Sequence, residues 1–342
     1  MGKVSDGIEL LGQTARIAPL LERARSGRLH HCYLFEGPPS VGKHTAAELL
    51  ARTAACTAER GPFPCEQCLT CKQMLKGIHP DLIQMVPDPK RKSGTIGVDQ
   101  VRELIRKVRL RPYNASWRTV IVDPVDALMP QASNALLKTL EEPPPDTGFV
   151  LVTSRVSSLL PTVLSRSQRV RFTAVAEKEL VPWLSSKELP DAQRIARLSL
   201  GCPGAALALG EGGLAAMDQV RAELIEVLNG DIPAVIDASE AISRAKDAKA
   251  GLLLWLAVLE TLVRDTVLWA CDRQDGLIHS DQPKLIDAWA GVLWPRGAGR
   301  LQVLIDQTRQ RMLVNVNNRL LVETLLSATL RELGPASRAR LQ

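Results

Sequence analysis

Two groups of side chains in this chain have the types and spacing to do chemistry. The first lies in Cys32-Tyr-Leu-Phe-Glu-Gly-Pro-Pro-Ser-Val-Gly-Lys-His-Thr45, which contains Gly37-x-x-x-x-Gly42-Lys43. Glycines at this spacing let backbone N–H groups crowd a polyphosphate, and the lysine reaches its terminal phosphates. The pattern normally closes on a Ser or Thr whose hydroxyl holds magnesium. Here His44 takes that place, and an imidazole suits that hard, oxygen-seeking ion poorly. Thr45 comes one residue late, about 100° further round a helix. The loop is present without its metal grip.

The second group is Cys56-x8-Cys65-x2-Cys68-x2-Cys71, four thiols within sixteen residues. Such tight pairs can close on one tetrahedral zinc without long-range help. Four thiolates leave no open position for water, so the zinc would be structural. An iron–sulfur cluster is the alternative left open, and a disulfide is disfavoured by the compartment inferred below.

The elements that must position these groups alternate. Residues 8–28 read as a helix with Leu10, Leu11, Ile17, Leu20 and Leu21 on its apolar face. The run Cys32–Phe35 reads as a buried strand, followed by a helix to about Ala58. Asp81–Val86 reads as a second strand, and the loop behind it carries Lys90-Arg91-Lys92. Gly97–Leu110 predicts an amphipathic helix, Val98, Val101, Leu104, Ile105 and Val108 inward, with Arg102, Arg106, Lys107 and Arg109 on its solvated face. Arg118–Asp123 predicts a strand ending in an aspartate, where phosphate-loop nucleotidases keep a magnesium-holding carboxylate. Pro124 stands where the water-activating glutamate of the ATPases would follow, and Asp126 reads as a turn or cap residue. A helix over Gln131–Glu142 stops at Pro143-Pro144. Phe149–Thr153 and Arg169–Phe172 complete the strands. Strands alternating with helices over residues 1–173 imply a doubly wound parallel sheet.

The segments Asn134–Pro144 and Leu159–Phe172, together with the degenerate phosphate loop and the four-cysteine insert, resemble bacterial clamp-loader subunits of the AAA+ class. The resemblance is dense over about the first 210 residues and weaker beyond. It implies a helical lid over 174–213, an all-α collar through which subunits form a ring over 214–334, and a tail at 335–342. Two branches compete, the ATP-hydrolysing gamma/tau motor and the delta-prime type, which usually does not hydrolyse ATP. Three losses favour delta-prime: His44, Pro124, and Gly204 in Arg197–Leu207, where motors carry a lid sensor arginine. Family members present a Ser-Arg-Cys motif whose arginine enters the neighbouring subunit's ATP site. This chain reads Ser165-Arg166-Ser167, so the resemblance assigns Arg166, with Ser165, an action in trans, and leaves Arg155, Arg169 and Arg171 as surface residues. It implies gamma/tau and delta subunits, a sliding clamp and primed DNA as partners. Residual nucleotide binding at Gly37, Gly42 and Lys43 stays open.

Length and composition bound the remainder. A chain of 342 residues exceeds one ordinary core and implies two or three domains. The net charge of +6 permits contact with nucleic acid without requiring it. No stretch is apolar enough to span a bilayer, the first residues have no apolar signal core, and seven cysteines in a long chain, three of them crowded into Cys65–Cys71, do not form an extracellular framework. The expected compartment is the cytoplasm. A zinc-dependent nucleic-acid enzyme is a third reading, but the sequence offers it no open metal site and no paired catalytic carboxylates. Trp255, Trp269, Trp289 and Trp294 read as core or helix-interface residues.

Overall fold

A computed structural model describes residues 10–59, 61–88, 94–245, 247–312 and 317–339. The start of the expected first helix, the Lys90-Arg91-Lys92 loop and the last three residues of the tail lie outside them. The chain divides into two compact units. One comprises residues 1–188 and 199–206, the other 189–198 and 207–342. The 174–213 segment contributes to both.

The first unit is built on five parallel strands: β1 (Cys32–Glu36), β2 (Leu82–Met85), β3 (Arg118–Val122), β4 (Thr147–Thr153) and β5 (Gln168–Arg171). Their order across the sheet is β2-β3-β4-β1-β5, with Tyr33 level with Val150 on one side and Gln168 on the other. A strand points successive side chains to opposite faces, and a parallel sheet is covered on both. Tyr33 and Phe35 accordingly join a core with Ile121, Val150 and Val152 under α1 (Thr14–Arg25) and α2 (Lys43–Ala55). Cys32 and Leu34 join the opposite core with Val120, Val122 and Leu151, under α4 (Val98–Val108) and α5 (Pro130–Glu141). Between α2 and β2 lies α3 (Leu69–Leu75), which carries the last cysteine of the cluster. The short α6 (Pro161–Ser165) leads into β5. Beyond the sheet, α7 (Glu177–Ser185) stays with this unit, as does the start of α9 (Pro203–Ala208). The fold is of the AAA+ type.

The second unit is helical: α8 (Ala192–Leu198), α10 (Leu214–Asn229), α11 (Ile232–Arg244), α12 (Ala248–Ala270), α13 (Pro283–Leu293), α14 (Arg296–Arg311) and α15 (Asn318–Ala339). Leu224, Leu256, Leu259, Leu293, Ile305 and Leu326 form the centre of its core. A buried polar set ties α10 and α12 to the segment before α13. Arg221 donates to Asp281 at 2.8 and 2.6 Å, and Asp265 accepts the N–H groups of Ile278 and His279. Burial first, then the nearby Arg221 and Arg194 charges, push the His279 imidazolium down to about 3, so the ring stays neutral. Trp255 and Trp289 are buried as expected, whereas Trp294 is 46% exposed; it sits just past the C-terminus of α13, where the core has ended. Residues 335–339, expected as frayed tail, continue α15 after a break at Gly334.

Candidate functional site

The phosphate loop leaves the C-terminal end of β1 and enters α2. Gly37 has φ +149°, and a Cβ there would stand 2.4 Å from the Phe172 carbonyl oxygen, so only glycine fits. Lys43 does not face an open cradle. It is buried, and its Nζ donates to the carbonyls of Gly37 (2.8 Å) and Pro38 and to Ser154 Oγ (3.0 Å). Burial pulls its ammonium below the usual lysine value, against the opposing pull of Asp123, Cys202 and Asp126.

His44 turns to the carboxylate at the end of β3. Its Nδ1 lies 2.8 Å from Asp123 Oδ2 and its Nε2 3.4 Å from Glu48, one helical turn on. The hydrogen bonds to Asp123 and Glu48 hold the imidazolium up to about 9 against burial. A cationic ring therefore sits on the carboxylate that would hold magnesium in a nucleotidase. Gly204, where motors place an arginine, donates its N–H to the Ser40 carbonyl at 2.9 Å. A Cβ at Gly204 would meet that oxygen at 3.0 Å, so a side chain starting there would press on the loop itself.

Asp126 lies in a short helical turn, Val125–Ala127, but it caps no helix. It accepts from Thr153 Oγ1 at 2.7 Å and from Arg155 at 2.9 and 2.8 Å. Arg155 is thus a surface arginine, as expected, and half of an ion pair. The exposed Arg169 likewise donates to buried Glu36 from two nitrogens at 2.8–3.0 Å, and the exposed Arg171 lies 3.5 Å from the same carboxylate. These pairs join groups far apart in the chain, and a residue-by-residue reading had no local signal for them.

Arg166 lies at the other end of the sheet. It follows α6 and precedes β5, and β5 runs parallel to β1. From Tyr33, level with Gln168, to Gly37 is about 13 Å along the strand direction. The guanidinium donates to the Thr162 carbonyl (3.0 Å) and Ser165 Oγ (3.2 Å), and its Nη2 pairs with Glu141 at 2.7 Å. With Ser165, His30, His31 and Gln168 it borders an open cleft of about 490 Å3. Glu141 closes α5 and was not singled out by the sequence reading. Ser167 donates to the Val163 carbonyl at 2.7 Å and lies 3.3 Å from Cys32 Sγ, which fastens the turn to β1.

The four cysteines converge. The sulfurs of Cys56, Cys65, Cys68 and Cys71 lie within 4.8 Å of one another, Cys71 buried and the others half-buried. The N–H groups of Cys65, Cys68 and Cys71 each point at the preceding cysteine sulfur, at 3.3–3.4 Å. Burial pushes the Cys68 thiol up, but N–H groups of Cys71 and Thr57 outweigh it and bring the thiol down to about 6. Burial raises Cys56 and Cys71. Four converging sulfurs that accept backbone N–H groups, with no disulfide among them, suit a tetrahedral thiolate metal and no open-site chemistry.

Residues 12–176 match the family described as "DNA polymerase III, delta subunit". The chain is 33% identical over 318 residues to the DNA polymerase III subunit delta' of Escherichia coli K12, covering 90% of this chain and 91% of the relative. The Pseudomonas aeruginosa delta' subunit is 30% identical, covering 86% and 90%. The gamma subunit of Buchnera aphidicola from Acyrthosiphon pisum is 31% identical, but covers 52% of this chain and 47% of the relative. A solved gamma-subunit-related protein of Thermotoga maritima shares the fold, with a TM-score of 0.51, 18% identity, and 93% of this chain and 100% of that one covered. Among the described residues no helix is long and apolar enough to cross a membrane.

Proposed function

We propose a function from one premise: the chain belongs to the family of DNA polymerase III delta' subunits. It is a subunit of the clamp loader, the assembly that places a sliding clamp on primed DNA during replication. Within that assembly it turns over no ATP of its own. It serves the ATP site of an adjacent gamma/tau subunit, inserting Arg166 toward the phosphates there, with Ser165 beside it.

One observation carries this reading. In a parallel sheet β1 delivers the phosphate loop at one end, while β5 starts from Arg166 at the other. The arginine therefore cannot reach its own loop, and any phosphate it meets belongs to another chain. A planar, always-charged guanidinium suits a phosphate reached across an interface, and such a finger contributes about 10³–10⁵ in rate. The loop supports the same division of labour. Lys43 and His44 are spent on groups of their own chain, and Pro124 can exchange no proton. The four cysteines hold one structural zinc that folds the insert, and the ion takes no part in phosphate chemistry.

The test uses the reconstituted complex with delta, gamma/tau and this chain, its assembly verified by size-exclusion chromatography. Arg166→Ala should leave assembly intact. It should abolish the share of DNA- and clamp-stimulated ATP turnover that belongs to the adjacent site, and slow clamp loading with it. Wild-type loading by the assembled variant complex would overturn the trans role. Steady turnover by the isolated chain, lost in Lys43→Ala, would overturn the non-hydrolysing one.

A further inference from the structure

Arg52 sits on α2 four residues before Cys56 and is 1% exposed. Helix geometry puts residues four apart on one side, so its side chain shares the flank from which Cys56 departs. Arginine is almost never fully buried unless paired, and the pairing here is incomplete. Nη1 lies 3.4 Å from Glu66 Oε1, a long contact, while buried Nη2 has no hydrogen-bond partner among the described residues. A buried donor left unmade costs about 1–3 kcal/mol. The fold accepts that cost next to the cysteine cluster. Burial works against the Arg52 charge, whereas Glu66, Glu48 and Cys71 sustain it.

Glu66 explains the placement. It stands between Cys65 and Cys68 with φ +56°, and its N–H points at Cys71. A non-glycine residue in the left-handed region is held there by its surroundings, and Arg52 faces its carboxylate at 3.4 Å. One zinc ion with four thiolates carries a net charge of −2. Bringing that charge into partly buried protein is costly unless a positive partner and hydrogen-bond donors meet it.

We infer that Arg52 is the outer partner of the four-thiolate centre, fixing the ligand turn through Glu66 and setting its positive charge beside the metal-bound thiolates. The inference rests on the zinc reading and adds to it a positioning residue outside the ligand set.

The experiment compares the full-length chain with Arg52→Met, Arg52→Gln and Glu66→Gln. Zinc affinity is read by competition with a chromophoric chelator. The thiolate-to-metal charge-transfer band is recorded after cobalt substitution, and urea unfolding is followed with zinc and with excess chelator. Arg52→Met should bind zinc about 10–100-fold more weakly, with a displaced cobalt band. Glu66→Gln should lose less, since it leaves the charge of Arg52 in place. If Arg52→Met does not fold, Arg52→Gln decides, with a loss of about tenfold or more expected. Wild-type affinity and spectrum in the deciding variant would overturn the inference while leaving zinc in place. So would a stability loss equal with and without metal, which marks a residue that only packs. A wild-type chain that holds no zinc would remove the zinc reading and this inference together.

Discussion

Charged groups at both ends of the sheet are paired within the chain, but the two ends differ in what those pairs border. At the C-terminal end, around the phosphate loop, the chain satisfies itself: Lys43 on the Gly37 and Pro38 carbonyls, His44 on Asp123, Arg155 on Asp126, Arg169 on Glu36. At the N-terminal end Arg166 borders an open cleft, held by local acceptors and by Glu141, which is 46% exposed. A motor keeps its lysine and its carboxylate available for nucleotide and metal. Here Arg166, itself paired with Glu141, borders a cleft at the end that faces away from the chain's own loop. The difference teaches that the phosphate-loop end is braced from within, while the Arg166 end borders a cleft. Lys43, His44 and Gly204 each make an internal contact, and those contacts brace the loop as a structural corner.

The largest effect expected to sharpen this contrast, after loss of Arg166 itself, comes from Lys43. In a nucleotide-holding loop, Lys43→Ala would mainly abolish binding. Here it strips a buried cross-link and leaves carbonyls short of a donor, so the isolated protein should lose about 1–3 kcal/mol. ATP turnover of the assembled complex should stay within about twofold. Urea melts and a steady-state ATPase assay check the two halves. A stable variant whose complex loses turnover would show that the loop is a working nucleotide site after all.

How much of this was legible in the sequence follows from the range of each interaction. The strands were readable because a doubly covered parallel sheet writes itself as continuous apolar runs, such as Cys32–Phe35. Their ends shifted by a residue or two, as with β4 starting at Thr147, since termini depend on partners rather than propensity. The convergence of the cysteines was readable because metal-ligand spacing is local. The partners of the charged residues were not. Glu141 with Arg166, Glu36 with Arg169, Asp126 with Arg155 and Arg52 with Glu66 are chosen by the packing of separate elements. No periodicity or spacing encodes them. The fate of Lys43 was hidden for the same reason, because a lysine in the pattern looks identical whether it faces phosphate or its own carbonyls.

A smaller effect is expected at the open end. Glu141 pairs with Arg166 across a partly exposed contact, the kind worth about 0.2–1 kcal/mol. On the proposed trans role, this pair must open in the free subunit before the guanidinium meets a phosphate. Glu141→Gln should therefore lower the ATP concentration for half-maximal turnover of the complex by about two- to fivefold, consistent with that energy. Turnover titrations of wild-type and variant complexes test this. A fall in maximal rate instead would mean that Glu141 aligns the arginine rather than restraining it.

The smallest effect separates the ends by pH. His44 titrates near 6.5 when unfolded, but in the fold its contacts with Asp123 and Glu48 raise it to about 9. The folded state thus binds the proton more tightly, and stability rises with every proton the ring holds. That contribution is fully present below about pH 6.5, shrinks as pH climbs, and is gone above about 9. The ring is 37% exposed, so solvent screening limits the contribution to less than about 1 kcal/mol. His44→Gln can still hydrogen-bond Asp123 but cannot take up the proton. Its stability should match the wild type above pH 9 and fall below it toward pH 6.5, flattening the slope over that interval. Urea midpoints at half-unit pH steps measure the difference. Parallel curves for the two proteins would show that His44 is neutral in the fold, and that the loop is closed by hydrogen bonds alone rather than by an internal cation standing where a motor holds its metal.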